Sequence, residues 1–287
     1  MFLRRRAAAA LTTLALALLS LTACDGGNNN GGGGGGGTII SDPGPGDSGG
    51  DSGSEPGTDG GDTSPAGQLQ ALPTNGTCSV TGDMEGAFTS SSQMPDYLTC
   101  IIPGVEQWID TVYAQMPHPL GYYYVPEGVN GTIDQCPVAP DSLEYCNTNQ
   151  YVYLGQDAIW EQYSVYGDAA PVVVLAHEVT HHFQNTIGMP KPQVPNDLIK
   201  TENQADCGAG AFMAWARSQG MMAKDDINDL AGSLQAAGES ESHGERRTHG
   251  TIQERLNAFD QSYTSGLQQP MEACNSFVPT TPIFSAA

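Results

Sequence analysis

The stretch Val174 to Asn185, Val-Leu-Ala-His-Glu-Val-Thr-His-His-Phe-Gln-Asn, holds three of the chain's six histidines. Asp168 as an N-cap, Pro171 in the first turn, and Gly188 followed by Pro190 beyond the end predict one helix across it. Residues four apart on a helix lie one turn apart on one face, about 6 Å along the axis. His177 and His181 therefore direct their imidazoles at a single point. Two imidazoles make an incomplete metal site, because a catalytic zinc takes three protein ligands and keeps one position open. The missing donor constrains the fold: another part of the chain must be carried over this helix face.

The segment Lys-Thr-Glu-Asn-Gln-Ala-Asp-Cys-Gly-Ala-Gly, Lys200 to Gly210, meets that requirement. Glu202 follows His181 by 21 residues, and Asp206 stands one turn further on, within a second helix predicted from about Asn196 to Ser218. Folded back as an antiparallel hairpin, this helix brings Glu202 over the histidine pair as the third ligand. Asp206, on the same face, accepts the outer N–H of one ligand histidine. Gly208 and Gly210 let neighbouring backbones come close. Glu178 completes an H-E-x-x-H pattern, in which the glutamate binds no metal and takes the proton of the attacking water. A closed structural zinc site has no use for such an acid, so Glu178 favours an open, catalytic one.

Around this pair the pattern predicts a helix from Gly104 to Gln115 between Pro103 and Pro117, and tyrosine-rich strands at Gly121–Val125 and Gln150–Leu154. The second strand, just upstream of the histidine helix, is the expected rim on which an extended peptide adds. Two further helices are predicted, Asp226 to Ala237 and one opening on the capping box Thr251 to Glu254.

The chain begins with Arg4, Arg5 and Arg6, then an apolar run too short to span a membrane, which reads as a secretory signal over residues 1–23. Leu21-Thr22-Ala23-Cys24 resembles a bacterial lipobox, making Cys24 the expected lipidated N-terminus. Residues 24–70, rich in Gly, Ser, Asp and Pro, read as a disordered tether, and 71–287 as one domain. The expected location is extracytoplasmic, anchored to a bacterial membrane through Cys24.

Six other cysteines in an exported chain suggest three disulfides. Spacing favours Cys136 with Cys146, and elimination then pairs Cys78 with Cys100 and Cys207 with Cys274. A cysteine-based zinc site is disfavoured because no C-x-x-C occurs. The net charge of −22, with seven basic residues left once the signal is removed, argues against nucleic acid as a partner. No G-x-S-x-G within residues 71–287 supports a serine hydrolase there.

Four blocks, LAHEVTHHFQNTIG, TENQADCGAGAFMAWA, DINDLAGSLQAAGES and THGTIQERLNAFDQSYTSG, resemble in that order those of the bacterial neutral zinc metallopeptidase family (YpfJ-like proteins). The wider pattern, H-E-x-x-H then E-x-x-x-D, is similar to gluzincins. The resemblance covers about Ile101 to Gly266. It implies an α+β, zincin-like domain with a small sheet, an active-site helix pair and a mostly helical C-terminal half. It implies Zn²⁺, a peptide or protein substrate and endopeptidase activity, and a Cys136–Cys146 bridge before the Tyr-Val-Tyr-Leu strand. A downstream histidine steadies the oxyanion in gluzincins, a role that falls here to His249. The chain departs from the family pattern in a short segment between Ser240 and Thr248, and in the tether that replaces a membrane-proximal segment.

His182 points about 100° away from His181 and reads as a support to the site or a surface group. Tyr263 reads as packing, His118 as a turn residue and His243 as exposed. Two competing functions are a non-catalytic zinc-binding surface lipoprotein and a metal-dependent amidase acting on cell-wall crosslinks. Nothing in the pattern fixes the oligomeric state.

Overall fold

The computed structural model describes residues 64–78, 83–223, 226–236, 238, 249–266 and 270–283. The expected signal segment, Cys24, the tether up to residue 63, and His243 lie outside them. A helical turn, α1 (Pro65–Gln68), leads into strand β1 (Gln70–Leu72). Helix α2 (Met94–Val112) begins ten residues before the predicted start at Gly104 and contains Pro103 in its interior. An interior proline costs about 3 kcal/mol. Tyr97, Leu98, Ile101, Ile102, Val105 and Trp108, buried on both sides of it at helical spacing, each contribute about 1.5–3 kcal/mol, so the helix runs through.

Strand β2 (Gly121–Val125) falls where predicted. It is followed by the hairpin β3 (Gly131–Ile133) and β4 (Cys136–Val138), then β5 (Leu143–Cys146) and β6 (Tyr151–Gly155). The main sheet has the order β1-β2-β6-β5, with β2 and β6 parallel and the outer pairs antiparallel. This corrects the expectation that Tyr151–Leu154 forms a rim. Strand β6 is interior, and β5 takes the edge because the Cys136–Cys146 bridge returns the chain to pair Cys146 with Tyr151. Tyr122, Tyr124, Val152 and Leu154 face the main core, while Tyr153 belongs to a smaller cluster with Val125, Val129, Val138 and the Cys136–Cys146 sulfurs.

The second half is helical: α3 (Gln156–Glu161), α4 (Ala170–Thr186), α5 (Pro195–Ser218), α6 (Asp226–Ala236) and α7 (Ile252–Tyr263). The chain is thus α+β with small sheets. Asp168 does not cap α4 as expected. Ala169 holds that position, and Asp168 Oδ2 accepts the Met84 N–H at 2.7 Å instead. The capping box of Thr251 and Glu254 forms as predicted. Trp108 packs edge-on against Tyr113 and Phe212, with ring centroids 5.1 and 5.4 Å apart, contacts worth about 0.5–1.5 kcal/mol each beyond their area.

Helix α5 lies between α4 and α7, and its two predicted glycines face opposite ways. A Cβ on Gly208 would fall 2.1 Å from Thr180 Oγ1 of α4, and one on Gly210 would fall 2.2 Å from the Phe259 carbonyl of α7. The three expected disulfides are present, and Cys207–Cys274 ties α5 to the C-terminal 3₁₀ turn Pro270–Ser276. No helix among the described residues is long and apolar enough to cross a membrane.

Candidate metal centre

The antiparallel crossing of α4 and α5 sets His177 and His181 against Glu202, with one donor atom of each within 4.8 Å of the others. The two Nε2 atoms face each other at 3.0 Å. Glu202 Oε2 lies 3.2 Å from His177 Nε2, and Oε1 lies 3.6 Å from His181 Nε2. Neither approach is aligned as a hydrogen bond, so both oxygens of a carboxylate that is 1 % exposed have no hydrogen-bond partner.

The outer ring nitrogens determine what the inner ones can do. His177 Nδ1 lies 2.9 Å from Asp206 Oδ1; the carboxylate only accepts, so Nδ1 carries the hydrogen. His181 Nδ1 lies 2.8 Å from Gln184 Oε1, while the Gln184 amide donates to the Thr201 carbonyl and to Gln204 Oε1. Gln184 therefore accepts from His181. In the neutral rings these contacts leave both Nε2 lone pairs aimed at one point; burial lowers both imidazoles, but the facing carboxylates outweigh it, raising His177 to about 10 and His181 above its usual value. Asp206 in turn receives Arg255 Nε on Oδ2 at 2.8 Å and Arg255 Nη2 on Oδ1 at 2.6 Å. Burial pushes the Asp206 carboxyl up, but Arg255 and His177 outweigh it and hold the group below the usual range.

Glu178 is buried beside this cluster, and its Oε2 accepts the Tyr145 N–H of edge strand β5 at 2.7 Å. Burial raises its carboxyl above the ordinary value against the opposing pull of the two imidazoles. His249 places Nε2 3.9 Å from Glu202 Oε2, just ahead of the capped start of α7, and burial pulls its imidazole below the usual value.

His177, Glu178, His181, Glu202, Asp206 and His249, the residues expected from sequence, thus converge. Tyr263 does not join them; it stacks on Phe259 and meets Arg217. His118 does not join them either; it sits between Glu106 and Asp110 of α2. His182 is fully buried, not a surface group, and bridges Tyr145 Oη and the Pro117 carbonyl. Sequence reasoning missed three contributors. Gln184 was visible as an amide one turn from His181 on its face, and Arg255 as a base inside the last resembling block. Only the Tyr145 N–H, a backbone group, has no signature in the sequence.

Residues 131–277, more than half of the chain, match the family model described as "Putative neutral zinc metallopeptidase". Among curated proteins, "Uncharacterized protein YpfJ" of Escherichia coli strain K12 is 31% identical over 155 residues, covering 46% of this chain and 53% of the relative. Its counterpart in E. coli O6:H1 strain CFT073 gives the same identity and coverage. The chain spans about half the length of the curated relatives it matches. No solved structure matches.

The family implies a Zn²⁺ cofactor, and the residues fit it. Two imidazole nitrogens facing at 3.0 Å need a cation between them, a shared proton or a metal ion, and the Glu202 oxygens, which accept no hydrogen bond, are buried at the same point. With both imidazoles neutral, the buried carboxylates of Glu178, Glu202 and Asp206 outnumber the one guanidinium, Arg255, by two charges, which a dication balances. Matched over more than half its length and carrying donors suited to that ion, the chain belongs to the neutral zinc metallopeptidase family.

Proposed function

We propose that the domain is a zinc-dependent endopeptidase, with helix pair and sheet disposed as in zincins. The observation that carries this reading is the convergence of three donors, two buried and His181 partly so, beside a fourth group, Glu178, that is tied elsewhere and is not among them. His177, His181 and Glu202 hold the ion, and Asp206 and Gln184 keep the two imidazoles in the tautomer that leaves Nε2 free. When bound, zinc supplies a Lewis acid that polarises a carbonyl and acidifies water.

Glu178 takes the proton of the attacking water on Oε1, since Oε2 is engaged by the Tyr145 N–H. It then passes that proton to the amine nitrogen as the peptide C–N bond breaks. Burial raises the Glu178 carboxyl, the direction that suits a group that must both accept and return a proton. His249 steadies the oxygen of the scissile carbonyl from the rim of the cluster. Strand β5, at the sheet edge, is joined to Glu178 through the Tyr145 N–H and so ties the base to the sheet. The apolar leader, the Leu-Thr-Ala-Cys24 sequence and three disulfides support an extracytoplasmic protein anchored by lipid at Cys24.

The test is mass-spectrometric cleavage of a diverse peptide library by zinc-loaded protein beside its Glu178→Gln variant. Cleavage by the first and not the second is the expected result. If neither cleaves while both hold zinc, the endopeptidase reading fails, and cell-wall fragments then decide between an amidase and a binding module.

A further inference from the structure

We propose that Arg255 is a positioning residue for the metal centre: its guanidinium fixes Asp206 in the one orientation from which Oδ1 holds His177, and so sets the zinc affinity. This rests on the zinc reading above.

Arg255 lies on α7, one turn beyond the capping residue Thr251, and is 3% exposed; Asp206 lies on α5 and is fully buried. The guanidinium donates to both carboxylate oxygens, and Oδ1 is shared between Arg255 Nη2 at 2.6 Å and His177 Nδ1 at 2.9 Å. A carboxylate gripped at both oxygens by a planar fork has no rotation left, so the lone pair facing His177 is fixed in direction. The His177 ring follows, and with it the Nε2 that faces His181 and Glu202.

Stability alone gives a poor reason for the arrangement. Burying an ion pair is costly, and apolar residues of similar volume commonly replace such pairs without loss. What apolar residues cannot do is orient a histidine ligand. The same helix start that carries Arg255 also follows His249, so the docking of α7 on α5 delivers both groups to the centre. Lysine keeps the charge but is a point donor and cannot grip both oxygens.

The experiment is zinc competition with a chromophoric chelator for the wild type, Arg255→Lys, Asp206→Asn and the double variant, with circular dichroism of the zinc-free forms. Each single substitution is expected to weaken zinc binding by about 10- to 100-fold. The double variant should bind no worse than the weaker single one, because both remove the same restraint. Arg255→Met, which fills the space without charge, serves as a second variant should Arg255→Lys not fold. Wild-type affinity in a folded Arg255 variant, or losses that multiply in the double variant, would overturn the proposal. So would unfolding of both Arg255 variants while Asp206→Asn stays folded, which would make Arg255 purely structural. If the wild type itself binds no zinc, the zinc reading falls first; tight wild-type binding with unchanged variants removes only the role of Arg255.

Discussion

The backbone N–H of Tyr145 donates to Glu178 Oε2 at 2.7 Å, so the edge strand of the sheet holds the acid that follows the first histidine of the metal centre. The same residue anchors the strand to α4 through its side chain. His182 Nε2 donates to the Pro117 carbonyl at 2.8 Å, which leaves Nδ1 to accept from the Tyr145 hydroxyl at 3.1 Å. Asn185 Nδ2 donates to that hydroxyl at 2.9 Å. Main-chain and side-chain contacts of Tyr145 therefore divide the labour: one fixes the base, the other fixes the strand that fixes the base.

Substituting Tyr145→Phe should then lower stability without touching the metal. It strips one of two acceptors from Asn185 and the donor from buried His182 Nδ1, and leaving that nitrogen unmatched costs about 1–3 kcal/mol. Urea unfolding should show that loss, while zinc stoichiometry stays at the wild-type level. An unchanged unfolding midpoint would mean that the hydroxyl is not a strut.

Removing Glu202 should have the opposite profile. Its oxygens make no hydrogen bonds in the fold, so Glu202→Gln takes away a charge and a metal donor without breaking a hydrogen bond. Zinc measured by elemental analysis after dialysis should fall to a small fraction of the wild-type content, with circular dichroism unchanged. Full zinc content in Glu202→Gln would place the third ligand elsewhere.

The parts of this centre that were legible in the sequence are those whose geometry is local. His177 and His181 share a helix face by spacing alone, as do Glu202 and Asp206, and one hairpin joins the pairs. Helix α2 was only half read, because Pro103 looks like a boundary until the apolar residues on both sides are weighed. Strand β5 was missed outright. It is four residues long and buried throughout, so it shows no alternation, and its place at the edge follows from the Cys136–Cys146 bridge. Arg255 meets Asp206 across 49 residues of sequence, a distance over which no periodicity reaches.

Gly208 of α5 lies directly against Thr180 of α4, and Gly208→Ala should force the ligand helices apart. The new Cβ would lie 2.1 Å from Thr180 Oγ1 and 2.8 Å from Thr180 Cβ. Overpacking of this kind costs about 1–3 kcal/mol, and zinc affinity should fall with it because the two helices carry all three donors. Adding Thr180→Ala removes the hydroxyl and methyl contacts but not the one at Cβ, so it should restore stability only in part. Full stability in Gly208→Ala alone would show that the helices separate at no cost.

Asp229 provides a pH-dependent test remote from the metal ligands. It sits on α6 close to Asp168 and Asp226, and its Oδ2 accepts the Ala169 N–H at 3.3 Å. Burial, and then the neighbouring carboxylates, push its carboxyl up to about 6, against the Ala169 hydrogen bond. The folded state thus holds this proton more tightly than the unfolded chain does. The stabilisation is complete below about pH 4, where the unfolded chain is also protonated, and disappears as pH rises through about 6. At pH 7.5 the ionised group is therefore a burden, which partial exposure to solvent reduces to about 1 kcal/mol. Asp229→Asn keeps the acceptor oxygen and drops the charge. It should raise the urea midpoint at pH 7.5 and leave it nearly unchanged at pH 4.5. An equal gain at both pH values would trace the effect to something other than ionisation, and a loss at pH 7.5 would show that the carboxylate is needed where it stands.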